Sequence, residues 1–198
     1  MIADILLFDL GGVILDIDFE RVFDRWAFLS NRLSEELGGL FPRDVFDSYQ
    51  TGRIGDARFR DEVCSALDVD LNEADFFDGW NRVFVGEMPD IYDLLEQATR
   101  NRYPLFLFSN TNAAHETYIR RRFQGVLRHF KGEFLSHRMG FLKPEAEIFQ
   151  VVIDEIGPAD KILFFDDTLD NVEAAQLSGM HAVHVTTETT VQDTLRMT

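Results

Sequence analysis

Five short apolar runs constrain this chain more than any other feature: ILLF at 5–8, YPLFLFSN at 103–110, GEFLSH at 132–137, KILFFDD at 161–167 and HAVHV at 181–185. Runs of four to six apolar residues bounded by turn signals suit strands buried on both faces, the habit of parallel sheets. Parallel neighbours need long crossovers, and the segments between the runs have helical spacing. MPDIYDLLEQATRNR (88–102) starts with Pro89 and Asp90 and places Ile91, Leu94, Leu95 and Ala98 on one face. PEAEIFQVVIDEIG (144–157) repeats Ile148, Val151, Val152 and Ile156 and stops at Gly157, while DNVEAAQLSGM (170–180) ends in a C′ glycine, Gly179. Strand and helix therefore alternate from about residue 89 onward, which predicts an α/β fold with a doubly wound parallel sheet.

Residues 16–88 do not follow that alternation. FERVFDRWAFLS, RFRDEVCSAL and EADFFDGWNRVF are aromatic, charged and helix-biased, with no convincing strand among them. A helical cap inserted after the first strand is expected there, so that 1–15 and 89–198 form the core and 16–88 the cap. Open α/β sheets bind ligands outside the carboxyl ends of their strands, the edge such a cap could cover. Asp16 and Asp18 mark the turn into it, Asp18 as a candidate N-cap. TGRIGDARF (51–59) could send a loop bearing Arg53 toward that edge, and Trp80 and Phe84 read as core.

The 198 residues suit one α/β domain with a modest insertion, and 45% hydrophobic residues with 19 Phe supply a sizeable core. A net charge of −16 offers no basic face for nucleic acid and no attraction to an anionic membrane. Cys64 has no second cysteine to pair with, and Met1 to Phe8 has neither a basic n-region nor a long apolar stretch. A cytoplasmic protein without a membrane or nucleic-acid partner is the expectation.

The chemistry gathers at the strand ends. Asp9 closes the first strand, Ser109 and Asn110 the second, and Asp166 and Asp167 the fourth; Lys143-Pro144 opens the helix before that fourth strand. Three carboxylates in one crevice cannot all stay ionised and dry unless positive charge lies between them. A hard divalent cation answers that need, since Mg²⁺ is commonly held by one or two carboxylates, waters and substrate phosphate. Lys143 can then neutralise phosphoryl oxygens that the metal does not reach.

These residues resemble the four motifs of the haloacid dehalogenase superfamily: Asp9-Leu10-Gly11-Gly12-Val13, Ser109 after LFLF, Lys143-Pro144, and Asp166-Asp167 with Asp170 beyond. Within the superfamily, FDLGGVILDIDFERV, GWNRVFV, LFLFSNTN and FFDDTLDNVEAA are most similar to bacterial α-D-glucose-1-phosphate phosphatases. The resemblance implies an Mg²⁺-dependent phosphatase acting on a small phosphorylated metabolite through an aspartyl-phosphate. It implies that Asp9 is the nucleophile, that Asp9, the Gly11 carbonyl, Asp167 and Asp166 hold the metal, and that Ser109, the Asn110 amide and Lys143 hold the phosphoryl group.

One position departs from the pattern. Phosphatases of the superfamily usually carry a second Asp two residues after the nucleophile as general acid and base, and this chain has Gly11. Such proton transfer is worth roughly 10²–10⁴-fold. A sugar 1-phosphate, whose anomeric oxygen leaves more readily than an ordinary alkoxide, fits the loss. Two rivals remain at this stage. A 2-haloacid dehalogenase also uses an aspartate nucleophile without the second Asp, but has no use for Asp166-Asp167; a phosphate-binding protein of weak turnover would explain Gly11 differently.

Overall fold

The apolar runs become strands because alternate residues find a hydrophobic surface on each side. The computed structural model describes residues 3–197; residues 1, 2 and 198, the extremes of the expected core, lie outside it. The elements are β1 (Ile5–Phe8), β2 (Leu15–Ile17), α1 (Glu20–Ser30), α2 (Ser34–Leu40), α3 (Arg43–Gln50), α4 (Asp56–Leu67), α5 (Glu73–Trp80) and β3 (Phe84–Glu87). They continue with α6 (Ile91–Arg100), β4 (Leu105–Ser109), α7 (Ala113–Arg122), α8 (Gln124–Leu127), β5 (Gly132–Leu135) and α9 (Ser136–Met139). The chain then forms α10 (Ala146–Ile156), β6 (Ile162–Asp166), α11 (Leu169–Leu177), β7 (His181–His184) and α12 (Thr190–Met197).

The main sheet has the order β5-β4-β1-β6-β7, with every pairing parallel. This is the expected doubly wound α/β arrangement, with β1 at the centre where the winding reverses. On one face Leu6, Phe8, Leu107 and Phe165 join one apolar cluster; on the other Leu7, Phe108, Ile162 and Phe164 pack with Ile148, Phe149 and Val152 of α10. Each fully buried Leu or Phe contributes roughly 1.5–3 kcal/mol. Gly157 and Gly179, at φ 131° and 88°, stand just past α10 and α11, where the sequence places helix stops. Val151 is a correction: it is exposed, because Phe149 rather than Val151 supplies the inward residue of α10.

The block 16–88 is mainly helical but not strand-free. β2 and β3, at its two ends, pair antiparallel into a two-stranded ribbon, Leu15 opposite Glu87 and Ile17 opposite Phe84. Between them the helices gather around aromatics: Trp26 stacks on Phe76 at 4.7 Å, and Tyr49 on Phe59 at 4.1 Å. These rings belong to the same apolar cluster as Leu6 and Phe8 of β1, so the helical block shares its core with one face of the sheet. Asp18 Oδ1 accepts from the Glu20 amide at 2.9 Å at the entry to α1, although the N-cap position itself is Phe19.

Polar contacts tie the block to the sheet's carboxyl edge. Ser136 Oγ donates to the Gln50 carbonyl at 2.7 Å and accepts from the Thr111 amide at 2.9 Å. The Ala114 amide donates to the Tyr49 hydroxyl, which donates to Asp56 at 2.7 Å. Gly52, at φ 68°, turns so closely past α9 that a Cβ there would lie 2.2 Å from the His137 carbonyl oxygen. The segment bearing Arg53 is therefore a turn seated on α9, with Arg53 exposed.

Candidate active site

Parallel strands in register bring their carboxyl ends to one edge, and Phe8 pairs with both Leu107 and Phe165. Asp9, one residue past β1, thus lies beside Ser109 at the end of β4 and Asp166 at the end of β6. The Asp9 amide donates to the Phe165 carbonyl at 2.8 Å, which fixes the backbone that presents its carboxylate.

Lys143 enters this edge from the loop before α10. Its Nζ donates to Asp9 Oδ1 at 2.7 Å, Asp166 Oδ2 at 2.6 Å and the Phe108 carbonyl at 3.0 Å. The three donors of the ammonium are used, and its side chain is 1% exposed. Desolvation opposes its charge, but Asp9 and Asp166 outweigh that and hold the Lys143 pKa above its ordinary value. Asn110 sets the position of Lys143: its Nδ2 donates to the Lys143 carbonyl and its Oδ1 accepts from the Lys143 amide, both at 2.9 Å.

The two carboxylates at the end of β6 differ in surroundings. Asp166 is fully buried; its Oδ1 accepts from the Thr168 amide at 2.8 Å and Asn171 Nδ2 at 3.0 Å, and its Oδ2 from Lys143. Asn171, in the first turn of α11, holds Asp166, while the N-cap position of that helix is Thr168. Asp167 instead stands at the exposed lip. It lies against the loop after β1, where Gly12 has φ 70° and a Cβ would fall 2.3 Å from Asp167 Oδ2.

Negative charge exceeds positive charge here. Burial, opposed by Lys143 and reinforced by Asp166 and then Asp167, pushes the Asp9 carboxyl up to about 7. Among the described residues no three Asp, Glu, His or Cys side chains form a metal-holding group by themselves. Lys143 stands between Asp9 and Asp166. Two carboxylates, Asp9 and Asp167, remain beside a glycine loop whose backbone a small ion can approach, and that hard, under-compensated oxygen set fits Mg²⁺. Gly12 makes the cradle, because any side chain there would displace the Asp167 carboxylate.

A cavity of about 140 Å³ opens beside Gly11, Ser109 and Asn110, beneath Phe19, Phe46 and Gln50 of the helical block. Of the aromatics expected in the core, Trp80 is wholly buried, while Phe84 is buried and also reaches this cavity wall. His115 was given no role from sequence. It is buried under Trp80, its ring nitrogens meeting Asn112 Nδ2 at 3.1 Å and the Trp80 carbonyl at 3.2 Å. Burial lowers its pKa to about 3, so it stands neutral with the proton on Nε2.

The parallel sheet, the acidic strand ends and the lysine that joins two of them define a doubly wound α/β fold with its candidate site at the topological switch point. Residues 3–179 match the haloacid dehalogenase-like hydrolase family, and the chain belongs to it. A D-ribitol-5-phosphate phosphatase of Bacteroides thetaiotaomicron is 25% identical over 188 residues, covering 88% of this chain and 87% of that protein. A sesquiterpene phosphatase of Aspergillus oryzae is 26% identical over 187 residues, covering 91% and 88%. A HAD family enzyme of B. thetaiotaomicron, solved in complex with magnesium and inorganic phosphate, superposes with a TM-score of 0.81 at 28% identity, covering 92% of this chain and 93% of its own. No helix among the described residues is long and apolar enough to cross a membrane.

Proposed function

We propose that the chain is an Mg²⁺-dependent phosphomonoester hydrolase of small phosphorylated metabolites, working in the cytoplasm through an aspartyl-phosphate on Asp9. The observation that carries this reading is the Asp9–Lys143–Asp166 chain at the sheet's carboxyl edge, with Asp167 held against Gly12. A magnesium complex with phosphate in a structural relative, and the phosphatase activities named for two sequence relatives, support it. Halide displacement at carbon would draw no benefit from a further carboxylate at the site, so Asp167 favours the phosphatase over the dehalogenase.

Asp9, the Gly11 carbonyl and Asp167 would hold the ion, with Asp166 reaching it through water because its oxygens already serve Lys143, Thr168 and Asn171. Bound there, Mg²⁺ supplies charge that draws the phosphate dianion to a carboxylate. Lys143 fixes Oδ1 of Asp9, so the attack on phosphorus falls to Oδ2. The bond from phosphorus to the leaving oxygen breaks, and that oxygen keeps the electron pair. Ser109 and the Asn110 amide steady the phosphoryl oxygens, and Lys143 offsets the charge that grows on them. Water then attacks phosphorus, the acyl-phosphate bond breaks, the Asp9 carboxylate is restored, and the proton goes to solvent or to the released phosphate.

With Gly11 in place of an acid, the leaving group must depart without a proton from that position. A sugar 1-phosphate such as α-D-glucose 1-phosphate, which the motif resemblance suggests, meets that condition, as does any phosphate ester whose leaving oxygen is acidic enough to depart unprotonated. The two named relatives act on a polyol phosphate and a terpene phosphate, so their leaving groups do not select one for this chain. The test is phosphate release from acetyl phosphate, whose leaving group needs no acid, with Mg²⁺ and with a chelator. Release that depends on Mg²⁺ and disappears in Asp9→Asn is expected; release that survives that substitution would sink the assignment of Asp9.

A further inference from the structure

The cavity beside the phosphoryl site narrows the substrate further than the missing acid does. No Asp, Glu, Lys or Arg lines it; Leu10, Ile17, Phe19, Phe46, Val83 and Phe84 supply most of its wall. Its titratable group, His115, is held neutral with both ring nitrogens engaged, so it has no proton to give. The Asn110 side chain is spent on Lys143, and Ser109 stands at the phosphoryl end. Gln50 and Thr111 are left to meet any hydroxyls of a leaving group.

Ile17 makes the wall apolar where a catalytic acid would otherwise reach in. Its Cδ1 lies 2.8 Å from the ideal Cβ position of Gly11. The space is about 140 Å³, close to the ~150 Å³ apolar cavities known to accept a benzene ring. A pyranose has the right size but buries several hydroxyls, each costly without a partner.

Resting on the phosphatase reading above, we infer that the leaving group is an apolar, ring-sized alcohol of phenol-like acidity, so that the substrate class is an aryl phosphate. A phenol ionises near pH 10, as tyrosine does, and departs as phenolate without a general acid. In the first step the Asp9–phosphorus bond forms and the phosphorus–phenol oxygen bond breaks. The electron pair stays on the phenolate, which takes its proton from solvent.

The test measures phosphate release by the intact protein with Mg²⁺ from phenyl phosphate, α-D-glucose 1-phosphate, cyclohexyl phosphate and acetyl phosphate. Phenyl phosphate should exceed glucose 1-phosphate in kcat/KM by about tenfold or more, from unpaired hydroxyls. It should exceed cyclohexyl phosphate by roughly 10²-fold, from leaving-group acidity. Phe19→Asn, at a partly exposed rim position, should shrink the phenyl-to-glucose ratio. Glucose 1-phosphate equal to or better than phenyl phosphate, with acetyl phosphate still hydrolysed, overturns the aryl class while the phosphatase reading stands. Equal losses on both ring substrates in Phe19→Asn also overturn it. No release from any of the four overturns the phosphatase reading, and the aryl class with it.

Discussion

Ile17 fills the space that a side chain on Gly11 would take, its Cδ1 methyl standing 2.8 Å from the ideal Cβ. The lost acid and the apolar pocket are therefore one arrangement rather than two. Gly11 lies outside the left-handed backbone region, unlike Gly12 beside it, so only the terminal methyl of Ile17, which can turn aside, crowds a side chain there. Gly11→Asp combined with Ile17→Ala should raise kcat on cyclohexyl phosphate by about 10²-fold. Gly11→Asp alone should gain less. Steady-state kinetics on the two variants checks this, and an unchanged kcat in the double variant would contradict the link.

Gly12 keeps Asp167 in place by having no side chain. Gly12→Ala must move the Asp167 carboxylate and also strains a backbone at φ 70°. The Mg²⁺ concentration giving half-maximal turnover should rise by about tenfold or more. A metal titration of activity reads the effect, and an unaltered midpoint would separate Asp167 from the ion.

Lys143 joins two buried carboxylates. Lys143→Met leaves Asp9 and Asp166 buried and facing each other without the ammonium between them. Breaking a buried ion pair from one side costs about 3–5 kcal/mol, and urea unfolding of the variant should show a loss of that size. Activity should fall with it. A variant as stable as the parent would mean that Asp9 and Asp166 do not depend on the lysine.

His115 makes stability depend on pH. Its folded pKa, about 3, lies below the 6.5 of the unfolded chain, so between those values the unfolded state binds the extra proton. Stability from this residue is full above pH 6.5 and falls as pH drops toward 3, by about 1.4 kcal/mol per pH unit at most. The difference in unfolding free energy between the parent and His115→Gln isolates it, and should shrink across that window as the pH is lowered. A difference that does not vary with pH would mean His115 is charged in the fold.

The sheet was legible because its strands are buried on both faces, which leaves unbroken apolar runs such as ILLF and ILFF in the sequence. The gathering of Asp9, Ser109, Asp166 and Asp167 was legible for a related reason, since parallel register puts every strand's last residues at one edge. The β2–β3 ribbon was not: LDI and FVGE are too short to show a pattern and lie roughly 70 residues apart. Nor was the pocket wall, where Ile17, Phe46, Val83 and His115 meet from separate stretches of the chain with no local spacing to announce them. Val151 was misplaced because α10 carries apolar residues on more than one face, and periodicity alone does not say which face turns inward.

The nucleophile is the claim on which the rest depends. Protein quenched in acid during turnover of acetyl phosphate, digested and examined by mass spectrometry, should carry one phosphoryl group on the peptide containing Asp9. The label should be absent with a chelator and in Asp9→Asn. A phosphoryl group on any other residue, or full turnover by Asp9→Asn, would contradict the account.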